Sequence, residues 1–243
     1  MPFRVTDSAS SARLTSQIAT ARQRVSSAQE QLASGKRINR PSDDPVGTDT
    51  VIRLRTTQAE LGKFVNNAAG VKEGLQIADD TLNQYQEVMD RARALLTRAA
   101  SDTIVIEARE PIALELDGIA TRLHQLLNTK NGDNYVFGGA RINAAPFDSN
   151  GVLNATATTD VSIQVEPEGT LVETGVRAET FVSDSTGTIL DALKTASAAI
   201  RGTGNATADR TTVRATLDRL KDFSTLANAA RTSLGERMNH LDE

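Results

Sequence analysis

Apolar residues recur at alternating steps of four and three along most of this chain. Leu14, Ile18, Ala21, Val25, Ala28 and Leu32 keep that rhythm, and Val51, Leu54, Leu61, Val65, Ala68 and Val71 resume it. The spacing turns one stripe of a helix towards a partner helix, as in a coiled coil. It predicts a helix over residues 1–33 and a second over 45–100, the latter continuing through Ile77, Leu82, Tyr85, Met89, Leu95 and Leu96. Ser101-Asp102-Thr103 reads as a turn. A third helix runs to about Asn128, with Ile112, Leu116, Ile119, Leu123 and Leu126 inward. Pro111 is tolerable only in a first turn, which puts that helix's start near Glu107. Helical spacing returns with Ile189, Leu190, Leu193, Ala196 and Ile200. After a loop at Arg201-Gly202-Thr203-Gly204-Asn205 it carries on through Val213, Leu217, Leu220, Ala227, Leu234, Met238 and Leu241.

The first two helices are separated by a stiff joint, Ser34-Gly35-Lys36-Arg37-Ile38-Asn39-Arg40-Pro41-Ser42-Asp43-Asp44-Pro45. Gly35 follows the last periodic residue, where a left-handed C-terminal cap usually needs glycine. Asp43 and Asp44 can accept hydrogen bonds from the free amides of the next helix. Pro45 suits a first helical position, where no amide hydrogen is required.

Between the third helix and Ile189 the period changes. Tyr135-Val136-Phe137 suits a strand, Gly138-Gly139 a bulge or tight bend, and Asn150-Gly151 a hairpin turn. Val161 to Glu166 alternates as a half-buried strand should, Pro167-Glu168-Gly169 turns the chain, and Thr170 to Val182 can supply further strand. The predicted fold is therefore mainly α with a small β insert: a long antiparallel, coiled-coil-like helix bundle plus a β-rich subdomain. Three regions are expected: residues 1–44 as a terminal helix with its joint, 45–130 with 187–243 as a discontinuous bundle, and 131–186 as the insert. The first helix cannot stand alone. Burial of Leu14, Ile18, Val25 and Leu32 would contribute about 1.5–3 kcal/mol each, and isolated helices are marginal in water. Residues 1–44 are thus expected to be disordered in the isolated chain.

Leu32-Ala33-Ser34-Gly35-Lys36-Arg37-Ile38-Asn39 followed by Pro41-Ser42-Asp43-Asp44-Pro45 resembles the N-terminal signature of bacterial flagellins and their relatives. The Lys-Arg pair and the Pro-Ser-Asp-Asp-Pro ending are more similar to the hook-associated members of that family, found at the hook–filament junction, than to filament flagellin. A second matching patch is Asn131-Gly132-Asp133-Asn134-Tyr135-Val136-Phe137-Gly138-Gly139, with Pro146-Phe147 after it. The resemblance implies a structural flagellar component, exported unfolded or partly folded without a cleaved signal and built into a ring of subunits. Its implied partners are copies of itself, other hook-associated proteins, flagellin and an export chaperone. Leu14, Ile18, Val25 and Leu32 would then pack against neighbouring subunits. Gly35, Arg37, Asn39, Asp43, Asp44 and Pro45 would shape the joint. Family members continue beyond the position of Glu243, so a missing C-terminal partner helix, and hence a fragment, is expected. A short filament flagellin, or a soluble helical binding or signalling module, remain the other readings. For the latter, Met89 to Leu96 loosely resembles the helix that flagellins present to a host receptor.

Composition agrees with packing through aliphatic helices: aromatics are 3% and there is no Trp. The absence of Cys excludes disulfides and thiolate metal sites. No stretch reaches the roughly 18 apolar residues of a membrane span, and the first 30 residues lack the pattern of a cleaved signal. The net charge of −4 argues against nucleic acid as a partner, but it is unevenly placed. Residues 1–40 hold seven basic against two acidic side chains, a net +5, which leaves −9 for the remainder. A solvated helix face explains this; the sharper alternative is that the basic end meets an acidic surface on a neighbour.

Catalytic chemistry is not expected, nor any cofactor or metal. The two histidines, His124 and His240, sit in no zinc motif, and His124 beside an apolar stripe suggests a structural or solvent-facing role. Asp79–Asp80, being adjacent on a helix, cannot face one another.

Overall fold

The chain is represented by a computed structural model that describes residues 3–101, 106–154, 160–167, 169–202 and 206–242. The expected turn at Asp102-Thr103, the loop residues Thr203-Gly204-Asn205, and Glu168 of the predicted turn lie outside the described residues. Two compact units are present, Met1–Leu61 and Gly62–Glu243, and the division falls inside a single helix.

The first unit contains α1 (Phe3–Ser34), the joint, and the start of α2 (Pro45–Ala99). Both helices begin and end within a residue or two of where periodicity and capping residues predicted. Gly35 is left-handed at φ +64°, the conformation a side chain resists and a helix C-terminus uses.

In the second unit, α2 supplies a buried row from Val71 through Leu75, Ala78, Leu82, Tyr85, Met89, Ala92 and Leu96 to Ala99. It packs with α3 (Arg109–Leu127), α5 (Ile189–Arg201) and α6 (Ala206–Asp242). Cross-links fix the directions. Lys72 pairs with Asp242, Asp79 with Arg231, and Gln86 with Ser224, so α2 and α6 are antiparallel. Arg91 with Glu115 and Gln84 with Arg122 make α2 and α3 antiparallel. Arg201 with Glu110 and Ser197 with the Ala113 carbonyl do the same for α5 and α3. The antiparallel bundle predicted from the stripes is what forms.

A short 3-10 turn at Ile106–Ala108 precedes α3, so Pro111 falls in the helix's first turn, where its missing amide costs nothing. At α5, Thr188 and Asp191 form a reciprocal capping box.

The β content is smaller and more divided than expected. Among the described residues, three two-stranded antiparallel hairpins occur: β1 (Lys130–Asn131) with β2 (Asn134–Tyr135), β3 (Ser162–Gln164) with β4 (Leu171–Glu173), and β5 (Ser183–Asp184) with β6 (Gly187–Thr188). The predicted strand Tyr135-Val136-Phe137 keeps only Tyr135, because the chain turns at Val136 and sends Phe137 into the core, fully buried. The strand anticipated through Val182 stops at Glu173. A single helical turn, α4 (Glu179–Val182), follows instead. Ala178, Phe181 and Val182 are all buried, a spacing of three and four that only a helix places on one side. Phe181 meets Tyr85 and Phe137 edge-on at 5.6 and 5.4 Å, joining the insert to the bundle's core.

Candidate functional site

The joint is built from the backbone outwards. Pro45 opens α2, and Asp44 caps it, its Oδ1 accepting from the Gly47 amide at 2.9 Å. Asp44 Oδ2 also receives the Arg37 guanidinium at 2.9 Å. The Gly47 amide and then Arg37 hold this carboxyl below the usual aspartate value, against a smaller opposing effect of burial.

Asp43 differs from expectation. Its carboxylate accepts from the amides of Asn39, at 3.1 Å, and Arg40, at 2.9 Å, closing the loop on itself. Only one carboxylate can sit beneath the free amides of α2, and Asp44, directly before Pro45, has that place. The loop is also tied back to α1. Gln31 Nε2 donates to the Arg37 carbonyl at 2.9 Å, and Arg40 reaches Glu30 at 3.2 Å. Asn39 lies half-buried in the turn.

Glu30, Gln31, Ile38 and Gly47 belong to this joint as firmly as the predicted residues. No local rule singles them out: Glu30 and Gln31 are polar residues near the end of α1, and glycine is a poor helix former wherever it falls. What enlists them is proximity after the chain has turned.

The four stripe residues of α1 are open to solvent: Leu14 is 57% exposed, Ile18 54%, Val25 57% and Leu32 83%. The same holds along the start of α2, where Val46, Ile52, Leu54, Leu61 and Val65 are exposed. From Val71 onward the equivalent positions are sealed. One continuous rhythm in sequence is thus bare over its first part and buried over its second.

Of the two roles expected for His124, structural or solvent-facing, its contacts fit the structural one. His124 Nε2 lies 2.7 Å from the Asp148 carbonyl oxygen, and Asn128 next to it pairs with both the amide and the carbonyl of Phe147 at 3.0 Å. These contacts pin the turn around Asn150-Gly151 to α3. Asp79 pairs with Arg231 rather than with its neighbour Asp80. Among the described residues, no group of three or more His, Cys, Asp or Glu side chains is placed to hold a metal ion. Nor is any described helix long and apolar enough to cross a membrane.

A capped helical joint, bare stripes on one unit and an antiparallel bundle in the other define a helical structural subunit. Residues 5–141 match the family described as the bacterial flagellin N-terminal helical region, and the chain belongs to that family. It is similar to flagellar hook-associated protein 3 of Salmonella typhimurium, 29% identical over 120 residues. That match spans 49% of this chain and 38% of the Salmonella protein. It is also similar to flagellar hook-associated protein 3 of Escherichia coli, 25% identical over 231 residues covering 88% of this chain and 73% of that protein. Its fold matches a crystal structure of FlgL from Xanthomonas campestris with a TM-score of 0.70 at 17% identity, covering 77% of this chain and 93% of the other.

Proposed function

We propose that this chain is a structural subunit of the bacterial flagellum, placed at the junction between hook and filament. It assembles when neighbouring subunits bury the stripe of Leu14, Ile18, Val25 and Leu32. The single observation that carries the reading is the contrast along the rhythm itself: apolar positions are exposed on α1 and early α2, and closed off from Val71 onward. A bare helical seam costs free energy for as long as it faces water, so a neighbour's matching stripe is the partner it suits.

The hook-associated reading over filament flagellin is supported by the Pro-Ser-Asp-Asp-Pro ending of the joint and by the E. coli match, whose 231 aligned residues extend beyond the N-terminal region into the insert and last helices. On this reading the residues before the bundle stay frayed until assembly, which suits export of a partly folded chain without a cleaved signal. An export chaperone would shield the seam in the interim. Copies of this chain, other hook-associated proteins and flagellin are the neighbours proposed, in head-to-tail contacts that propagate helical order. The compact second unit would carry the outer, folded part of the subunit.

Two measurements test this. Limited proteolysis of the purified chain, read by mass spectrometry, should cut first before about residue 40 and leave the bundle resistant. Immunolabelling of flagella should place the protein at the hook–filament boundary; labelling along whole filaments would make it a flagellin instead.

A further inference from the structure

We propose that Gly47 is the residue on which the joint closes and that, together with Ile38, it fixes the direction in which α1 leaves α2. The joint's part in assembly rests on the flagellar reading above; the geometry does not. A methyl group added at residue 47 would lie 2.5 Å from Asp44 Oδ2 and 2.6 Å from Ile38 Cδ1. Side-chain tips elsewhere could turn aside, but these two are the joint's fastenings. Asp44 Oδ2 holds Arg37 and Oδ1 holds the Gly47 amide, each at 2.9 Å, and Ile38 is half-buried against the start of the helix. To admit a side chain at residue 47, the cap, the ion pair or the Ile38 contact must give way. Gly62, in the same helix, has nothing within 4 Å of such a methyl group.

Helix propensity predicts the opposite outcome. Alanine is the better helix former, so Gly47→Ala should stabilise α2 if only the helix mattered. If the contact governs, the same change loosens the cap.

Two readouts on the full chain decide between them: the titration midpoint of Asp44, followed by carboxyl carbon NMR, and hydrogen exchange of the amide at residue 47. In the parent chain Asp44 should titrate below an ordinary aspartate, the Gly47 amide and then Arg37 being the cause. In Gly47→Ala the midpoint should rise towards the ordinary value and the amide should exchange about five-fold faster, the loss expected of one helix cap. Gly62→Ala should leave both unchanged. A parent chain whose Asp44 titrates as a free carboxyl, or a Gly47→Ala chain that matches the parent in both readouts, overturns the proposal. Should the parent protein fail to appear at the hook–filament boundary, the junction reading falls while these two readouts still decide the role of Gly47.

Discussion

Arg219 of α6 grips Asp184 with two nitrogens, Nε to Oδ2 at 2.7 Å and Nη2 to Oδ1 at 3.0 Å. The same guanidinium donates to the Gly187 carbonyl at 3.2 Å, so the β5–β6 hairpin is fastened to the last helix. Partial burial works against the carboxylate's charge, but Arg219 and the hydroxyl and amide of Thr186 outweigh it and hold the group at about 2. A carboxyl whose folded value lies below its unfolded value contributes stability above the unfolded value and loses it as pH falls through the folded one. The bundle should therefore lose stability between pH 3.8 and about 2 from this pair. The loss is about 1 kcal/mol after allowance for solvent around the pair. Asp184→Asn should flatten that part of the profile of denaturant midpoint against pH.

Tyr85 is buried among Leu82, Met89 and the Phe181 ring, and its hydroxyl has no hydrogen-bond partner among the described residues. Burial alone drives its proton affinity up. An unsatisfied buried hydroxyl costs free energy that a phenyl ring would not. Tyr85→Phe should raise stability by about 1 kcal/mol, seen as a higher urea midpoint at unchanged slope. A fall in the midpoint would mean that the hydroxyl is satisfied in solution.

Asn128 spends its side chain on the amide and the carbonyl of Phe147, both at 3.0 Å. Asn128→Ala would leave both backbone groups without that partner next to a fully buried ring. Destabilisation of about 2 kcal/mol is expected, with faster amide exchange from Phe147 to Leu153 and little change in α6. Uniform loss of protection across the bundle would contradict a local peg.

Ile18 and Val25 stand exposed on α1, so replacing either with Ser removes no packing from the subunit itself. The stability of the folded unit should stay within about 0.5 kcal/mol of the parent. Motility and incorporation into flagella should drop sharply. A double change that leaves motility intact would show that the seam is not an assembly surface.

Helix α1, the joint and the four bundle helices were legible because each rests on local rules. Gly35 and Pro45 act through their own backbone, Asp44 through a residue three places on, and the stripe through a fixed turn angle. Val136, Phe137 and Phe181 were misread for the opposite reason. A short run of apolar residues suits strand or helix equally, and its outcome depends on where the core lies. The hydrophobic rhythm likewise could not say where along α2 the stripe stops being bare. Leu61 and Val71 look alike in sequence, yet one faces solvent and the other the bundle.

The amino-acid order alone thus determined the helices, their caps and the family signature, since these depend on neighbours within a few residues. Only the tertiary structure decided which stripe positions are covered, which carboxylate caps α2, and that Gly47 leaves room for the joint to close. Each of those depends on atoms brought together across a turn or from distant helices, and no local spacing encodes such an encounter.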